Sequence, residues 1–264
     1  MPEVGWLVRA AATCQVFVDE INAPILSGED LHHLIHVLRV KPGESVIASD
    51  GVGRWIECRL AGGNIDCSNA LEIDGDIRVE HKRYPILTVG FTLVKGDRPD
   101  LVVQKLTELG IDRIVPLRTQ RSVVRWDADR AARGIDKLRR ISRAAAAQSR
   151  QVWLPEVTDI SGLGGLRTLS DITWHKDVNG SIESCGAKFS NEPVLAQIGS
   201  PPLSPLTTTV AVGPEGGWGP LDLALGYQTC GLGSSVLRSE TGAIAAGVLM
   251  SAFRDEYLSN AIEC

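Results

Sequence analysis

Two glycine-rich turns near the C-terminus, each placed after an apolar stretch, restrict the folds open to this chain more than any other feature. The first is residues 213–217 (Gly-Pro-Glu-Gly-Gly), directly after Val210-Ala211-Val212. The second lies within residues 232–241 (Leu-Gly-Ser-Ser-Val-Leu-Arg-Ser-Glu-Thr). Glycine lets the backbone turn sharply and approach a ligand closely. Two strand ends opening into such turns predict a small-molecule cleft at the carboxyl edge of a sheet.

The chain from residue 85 onward alternates between strand-like and helix-like segments. We predict strands at 86–94, 114–117, 172–175, 194–198 and 208–212, and helices at 97–109, 127–149, 221–227 and 240–258. Such alternation favours a mostly parallel sheet that is covered by helices on both faces.

The first 78 residues show a different pattern of predicted secondary structure. We predict short strands at 15–18, 45–49, 54–60 and 70–73, separated by turn residues, with one helix at 29–40. Closely spaced short strands favour a small β-barrel. Residues 74–84 form the candidate linker, so we place one domain at 1–78 and a second at 79–264.

Charge is unevenly distributed along the sequence. The whole chain carries a formal charge of −5, yet residues 113–150 hold eleven Lys/Arg and only three Asp, a local charge of +8. A basic stripe on an otherwise acidic protein favours a phosphate-binding face. A solvated helix face with internal ion pairs is the alternative.

Cysteine and histidine patterns give no sign of a metal site. The six cysteines show no CxxC spacing, and His32, His33 and His36 have no obvious further ligand. We therefore expect reduced thiols and no metal. We also expect a cytoplasmic protein that does not contact a membrane, because no apolar stretch is long enough to span one.

The two turns, together with residues 33–43 and 95–110, resemble signatures of the RsmE family of 16S rRNA (uridine-N3) methyltransferases. Similar segments at 119–124 and 144–155 spread the resemblance over nearly the whole chain in the expected order. The resemblance implies an α/β fold in which a C-terminal SPOUT α/β trefoil-knot domain is preceded by a small PUA-like β-barrel domain that helps to engage RNA.

The same resemblance implies a function. The expected reaction is transfer of a methyl group from S-adenosylmethionine to N3 of a uridine in 16S rRNA of the small ribosomal subunit, carried out by a homodimer. Two alternatives stay open: another SPOUT activity, such as ribose 2′-O methylation, and a non-catalytic RNA-binding protein of ribosome assembly.

Site residues follow from the matched motifs. We expect Arg238 to stabilise negative charge on the uracil, because a guanidinium stays charged, and Glu240 or Glu215 to accept the N3 proton. A structural Arg238–Glu240 ion pair is the alternative. The expected cofactor-binding residues are Gly213, Glu215, Gly216, Gly217, Leu232, Gly233, Val236, Leu237 and His175. The expected RNA-binding residues are Arg39, Arg118, Arg121, Arg125 and Arg150.

Overall fold

The structure is a computed structural model that describes residues 4–124, 126–171 and 189–258. Its contacts divide the chain into two compact units. The first unit comprises Met1–Lys82 and Arg143–Leu154, and the second comprises Arg83–Ser142 and Pro155–Cys264.

The first unit is built on a five-stranded sheet in the order β1-β2-β3-β4, with β5 also paired to β3. Its strands are β1 (Cys14–Phe17), β2 (Ser45–Ser49), β3 (Arg54–Leu60), β4 (Leu71–Ile73) and β5 (Arg78–Val79). Its first two helices are α1 (Val4–Ala11) and α2 (Gly28–His32). The four longer strands coincide with the predicted ones to within a residue, whereas β5 lies inside the predicted linker.

The predicted helix at 29–40 is only partly regular. Ser27 caps α2, because its hydroxyl accepts a hydrogen bond from the Asp30 amide at 3.0 Å. The α-helix then gives way to a π-helical turn at His33–Val37, closed by the Leu38 amide donating to the His33 carbonyl at 2.9 Å. Leu34 in this turn is fully buried in the core of the unit. The helical segment therefore ends three residues earlier than predicted.

A segment far along the chain completes the first unit. The Gly53 amide donates to the Val152 carbonyl at 3.0 Å, and the Leu154 amide donates to the Gly51 carbonyl at 2.9 Å. The Gln15 side chain donates to the Gln151 carbonyl at 2.6 Å. Because these backbone groups are satisfied from residues 143–154, the contact-defined division differs from the simple split after residue 78.

The second unit holds a seven-stranded sheet in the order β12-β10-β11-β6-β7-β8, with β9 also paired to β7, and every pairing is parallel. Its strands are β6 (Thr88–Thr92), β7 (Arg113–Arg118), β8 (Glu156–Val157), β9 (Ser161–Gly162), β10 (Val194–Ala196), β11 (Thr209–Val212) and β12 (Gln228–Cys230). The helices that follow α2 along the chain are α3 (Arg98–Glu108), α4 (Ala128–Gln148), α5 (Gly165–Asp171), α6 (Pro220–Leu223) and α7 (Ser239–Arg254). The predicted strand at 172–175 lies outside the described residues.

Helices cover both faces of this sheet, as the alternation predicts. Side chains of α3, α4 and α7 share one apolar cluster with Val89, Ile114 and Val210. On the other face, Leu163 and Leu166 pack with residues such as Val115. The central strands are therefore apolar throughout, as expected for parallel strands buried on both sides.

Burial also sets the chemistry of three of the described cysteines. Burial raises the pKa of the Cys14 and Cys230 thiols to about 11 and that of Cys58 to about 12. These thiols are protonated and unreactive at neutral pH, since the thiolate is the nucleophile.

Among the described residues, no helix combines the length and apolar character that crossing a membrane requires.

A buried ion pair anchors the end of α7 to the sheet of the second unit. Arg254, whose side chain is 2% exposed, donates to Asp112 at 2.7 Å and to the Gly110 carbonyl at 2.8 Å. Replacing Arg254 with Ala removes the cation from a buried carboxylate and should lower the free energy of unfolding by about 3 kcal/mol. Urea denaturation measures this loss.

Arg167→Ala is the matched control for this prediction. Arg167 pairs with Glu192, but its side chain is 49% exposed, so its loss should cost less than about 1 kcal/mol. Equal destabilisation by the two variants would contradict the anchoring role of Arg254.

Candidate functional site

A cleft of about 310 Å³ lies at the carboxyl edge of the sheet in the second unit. It is formed where β10, β11 and β12 end side by side. The register is level, because Ala196 pairs with both Val212 and Cys230, the last residues of β11 and β12. β11 and β12 therefore end at the same level of the sheet, and the loops that follow them face each other across the end of β10.

The turn after β11 is shaped by tight packing. A Cβ on Gly213 would lie 3.1 Å from the Trp218 ring, and Gly217 has a φ of +69°. The Gly217 amide donates to the Pro214 carbonyl at 2.8 Å, which closes the turn. The Trp218 indole donates to the Ala196 carbonyl at 3.0 Å and so fixes the turn to β10. The positive φ favours glycine at position 217, and at position 213 a larger residue would push against the Trp218 ring.

The segment after β12 is held by the connection between β10 and β11. The Gly231 amide donates to the Pro201 carbonyl at 2.6 Å, and the Leu203 amide donates to the Gly231 carbonyl at 3.2 Å. A Cβ on Gly231 would lie 2.6 Å from the Ser200 carbonyl oxygen. Residues 231–238 then return the chain to α7, which packs against β6, β11 and α3.

The cleft walls are apolar at several points where side chains remain exposed. Val236 is 79% exposed and Ile198 is 52% exposed, and Leu223 is 47% exposed. Leu232 and Leu237 are partly buried in the same wall. Exposed apolar side chains around a concave site are typical of a pocket for a flat or apolar ligand group.

The structure brings together nearly all the predicted cofactor-binding residues. The cleft is lined by Gly213, Glu215, Gly217, Leu232, Gly233, Val236 and Leu237, all of which were expected there. Gly216 lies in the same turn, and its carbonyl accepts a hydrogen bond from Arg121. His175 lies outside the described residues.

Arg238 and Glu240 lie at the start of α7 but do not pair with each other. Arg238 is exposed, lines the cleft and makes no ion pair with any described residue. Glu240 instead lies 3.6 Å from Arg98, at the start of α3. The alternative of a structural Arg238–Glu240 pair is therefore not what the structure contains.

Arg98 is the site residue that the sequence reasoning missed. Its guanidinium lies between two carboxylates, 3.5 Å from Glu215 in the turn after β11 and 3.6 Å from Glu240 in α7. It follows β6, the strand next to β11 in the sheet. The signal was available in the matched segment at 95–110, whose basic residues follow a predicted strand end.

The start of α7 carries polar atoms without partners. The Glu240 side chain is 12% exposed, and its Oε2 has no hydrogen-bond partner among the described residues. The same holds for the hydroxyl of Ser239, which is 3% exposed and lines the cleft. The cap residue is Arg238, whose side chain has no acceptor for the free amides of the first turn. This end of α7 therefore favours a polar or anionic ligand group.

The predicted RNA-binding arginines have separate environments. In the second unit, Arg118 is exposed at the end of β7, and Arg121 lines the cleft. In the first unit, Arg39 is exposed with a φ of +55°. Arg150 donates to the carbonyls of Ala12, Thr13 and Ala147, which gives its guanidinium a structural role in the first unit. Arg125 lies outside the described residues.

No cluster of three or more metal-ligating side chains occurs among the residues that the structure describes. The His32 and His36 rings are in contact, with centroids 4.7 Å apart.

Comparison with known proteins agrees with the cleft geometry. The model of the RNA methyltransferase domain family matches residues 82–251, and that of the RNA methyltransferase PUA domain matches residues 26–65. The chain therefore belongs to the RNA methyltransferase domain family. These matches confirm the predicted family and the predicted fold class of an α/β methyltransferase domain preceded by a PUA-like domain.

Particular relatives cover nearly the whole chain. Ribosomal RNA small subunit methyltransferase E of Bacillus subtilis is 29% identical over 87% of this chain and 90% of its own length. The protein of the same name from Mycobacterium bovis is 28% identical over 91% and 90%, respectively.

Solved structures share the fold. A putative methyltransferase of Legionella pneumophila, determined with S-adenosylmethionine bound, has a TM-score of 0.71 at 22% identity, covering 90% of this chain and 96% of its own. Ribosomal RNA small subunit methyltransferase E of Neisseria gonorrhoeae, also bound to S-adenosylmethionine, has a TM-score of 0.66 at 24% identity, covering 90% and 97%.

Replacing Arg98 with Ala should lower the kcat for RNA methylation at least tenfold, since Glu215 in the cleft wall and Glu240 in the first turn of α7 then lose their shared cation. Arg98→Lys keeps the charge and should recover part of the rate.

Lys105→Ala is the control on the same helix, because Lys105 pairs with Glu108 one turn further along the helix, at 2.8 Å. It should leave kcat unchanged. A wild-type kcat in Arg98→Ala would rule out a positioning role for Arg98.

Proposed function

We propose that this protein transfers the methyl group of S-adenosylmethionine to N3 of a specific uridine in 16S rRNA of the small ribosomal subunit. The observation that carries the proposal is the shared cleft of the two glycine turns, in a chain that belongs to an RNA methyltransferase family. The relatives named small subunit methyltransferase E, which match about nine tenths of the chain, favour ribosomal RNA as the substrate.

The residues present fit S-adenosylmethionine as the methyl donor. The cleft volume of about 310 Å³ falls within the range of small-molecule sites. Leu232, Val236 and Leu237 offer apolar surface for an adenine ring, while the glycine turns expose backbone groups to its polar edge. The Ser239 hydroxyl has no hydrogen-bond partner among the described residues. Together with the free amides in the first turn of α7, it suits the polar end of S-adenosylmethionine.

When bound, S-adenosylmethionine supplies a methyl group on a sulfonium cation, which an in-line nucleophile displaces. Uridine N3 carries a proton as an imide and becomes a good nucleophile only after losing it. The chain must therefore hold the uracil in line, stabilise the resulting anion and accept a proton. None of these tasks needs a metal or a covalent intermediate.

Arg238 is suited to stabilise the uracil anion. It is exposed in the cleft wall without an ion-pair partner among the described residues, so its charge is available to a substrate carbonyl. The partial positive charge at the start of α7 acts in the same direction. Glu240 is suited to accept the proton, because Arg98 lies beside one of its oxygens while the other, which is buried, has no hydrogen-bond partner among the described residues.

Assembly and location belong to the same proposal. We infer a homodimer in the cytoplasm, where ribosomal subunits are available. Exposed apolar side chains on and after α7, such as Val248 (45% exposed) and Tyr257 (85% exposed), support a subunit contact there.

The modified nucleosides of 16S rRNA test the proposed methylation. Nucleosides from 16S rRNA of a deletion strain should lack one N3-methyluridine, and the purified protein should restore it in the presence of S-adenosylmethionine. Mass spectrometry distinguishes the outcomes. Loss of a 2′-O-methylated uridine would contradict N3 chemistry, and an unchanged set of modified nucleosides would contradict catalysis.

Arg238→Ala should lower kcat about 100-fold or more, the usual cost of removing a donor to a developing anion, while the Kd for S-adenosylmethionine changes less than threefold. Calorimetry and single-turnover methylation measure the two effects. Arg238→Lys should retain part of the rate. A large rise in Kd at unchanged kcat would instead assign Arg238 to cofactor binding.

Gly231→Ala should weaken S-adenosylmethionine binding at least tenfold, because its Cβ meets a backbone carbonyl oxygen at 2.6 Å and the loop must move. Gly164→Ala is the control, since a Cβ there meets no atom within 4 Å. Tight binding by Gly231→Ala would show that the loop after β12 does not shape the donor site.

A further inference from the structure

The exposed side of α4 carries a regular row of cations. Arg130, Arg133, Lys137 and Arg140 are all exposed and are spaced by three, four and three residues. This spacing places them on one face of the helix, and the row extends about 15 Å at 1.5 Å per residue. The opposite face, which includes Ile135 and Leu138, is buried in the core of the second unit.

Ion pairs divide these cations into two groups. Lys137 lies 2.5 Å from Asp100, and this contact raises the pKa of its amine. Arg139, beside the row, pairs with Asp136 at 3.4 Å and Asp159 at 3.0 Å. The three arginines at positions 130, 133 and 140 make no ion pair with any residue in the described part of the chain. Their charge therefore remains available to a partner.

Further contacts connect this row to the cleft. The Arg130 guanidinium lies 6.0 Å from the centre of the Trp126 ring, and Arg118 donates to the Trp126 carbonyl at 3.4 Å. Three residues along, Arg121 donates to the Gly216 carbonyl in the cleft wall. Arg121 therefore contacts the cleft wall, and Arg118 and Arg130 both contact Trp126, which lies two residues before α4.

We propose that Arg130, Arg133 and Arg140 form a docking face for the phosphate backbone of the RNA that flanks the target nucleotide. This inference rests on the proposed function. A guanidinium pairs with phosphate in a two-pronged geometry, and three of them in a row match a polyanion better than a single charged group. The chain outside residues 113–150 carries a net charge of −13, so it repels RNA and favours approach to this face.

The test replaces all three arginines with Gln and measures binding to in vitro transcribed 16S rRNA at several salt concentrations. Each lost phosphate contact should reduce the slope of log K against log salt by roughly 0.7–0.9. The triple variant should therefore lose about two units of slope and bind about 100-fold more weakly near 0.1 M salt. The loss should be similar for RNAs of unrelated sequence, because phosphate contacts carry no sequence information.

Two further variants control for net charge and for folding. Arg139→Gln removes one charge from the same helix at a position already neutralised by aspartates, and it should bind RNA like the wild type. The triple Lys variant keeps the charges and should retain most of the affinity and slope. All variants should bind S-adenosylmethionine with wild-type affinity, which shows that the cleft is intact.

Wild-type RNA affinity and salt slope in the triple Gln variant would overturn the proposal. So would a loss confined to assembled subunits, which indicates an acidic protein partner, or an equal loss in Arg139→Gln, which indicates a general charge effect. Failure of the proposed function would give a different result from failure of this docking proposal. The wild-type protein would then bind RNA through this face but form no N3-methyluridine.

Discussion

The level ends of three parallel strands are the constraint on which the site depends. Because β10 lies between β11 and β12 in register, the residues that follow the two outer strands are forced to face each other across its end. Both exits are tight for a Cβ: at Gly231 the Ser200 carbonyl leaves no room for one, and at Gly213 the Trp218 ring would have to shift. The cleft is therefore a product of sheet topology, and the loops contribute its surface.

Electrostatics connect this cleft to the rest of the second unit. Arg98 joins α3 to both the turn after β11 and the start of α7, two segments that are 25 residues apart in sequence. The positive charge of Arg98 serves both Glu215 and Glu240. Among the described residues, neither carboxylate pairs with Arg238. A guanidinium suits this position because its donors can serve two partners at once. Arg238, which we propose meets the substrate, is therefore distinct from Arg98, which joins these segments.

The sequence predicted this arrangement only in part, and the reason is physical. The glycine turns were found because Gly and apolar runs are local signals. The predicted strand at 208–212 agrees with β11 before the first turn, whereas β12, before the second turn, was not among the predicted strands. Arg98 was missed because its partners become neighbours only through the pairing of β6 with β11. The place of residues 143–154 in the first unit was missed for the same reason, since its hydrogen bonds reach residues about 100 positions away. Arg150 looked like an RNA ligand, yet three carbonyls occupy its guanidinium.

The most direct measurement of the central claim is a crystal structure of the protein with S-adenosylhomocysteine, the product left after methyl transfer. The account predicts that its adenine ring lies between the turn after β11 and the segment after β12, with backbone groups of both in hydrogen-bond contact. A ligand bound elsewhere, or one that contacts only one of the two turns, would contradict it.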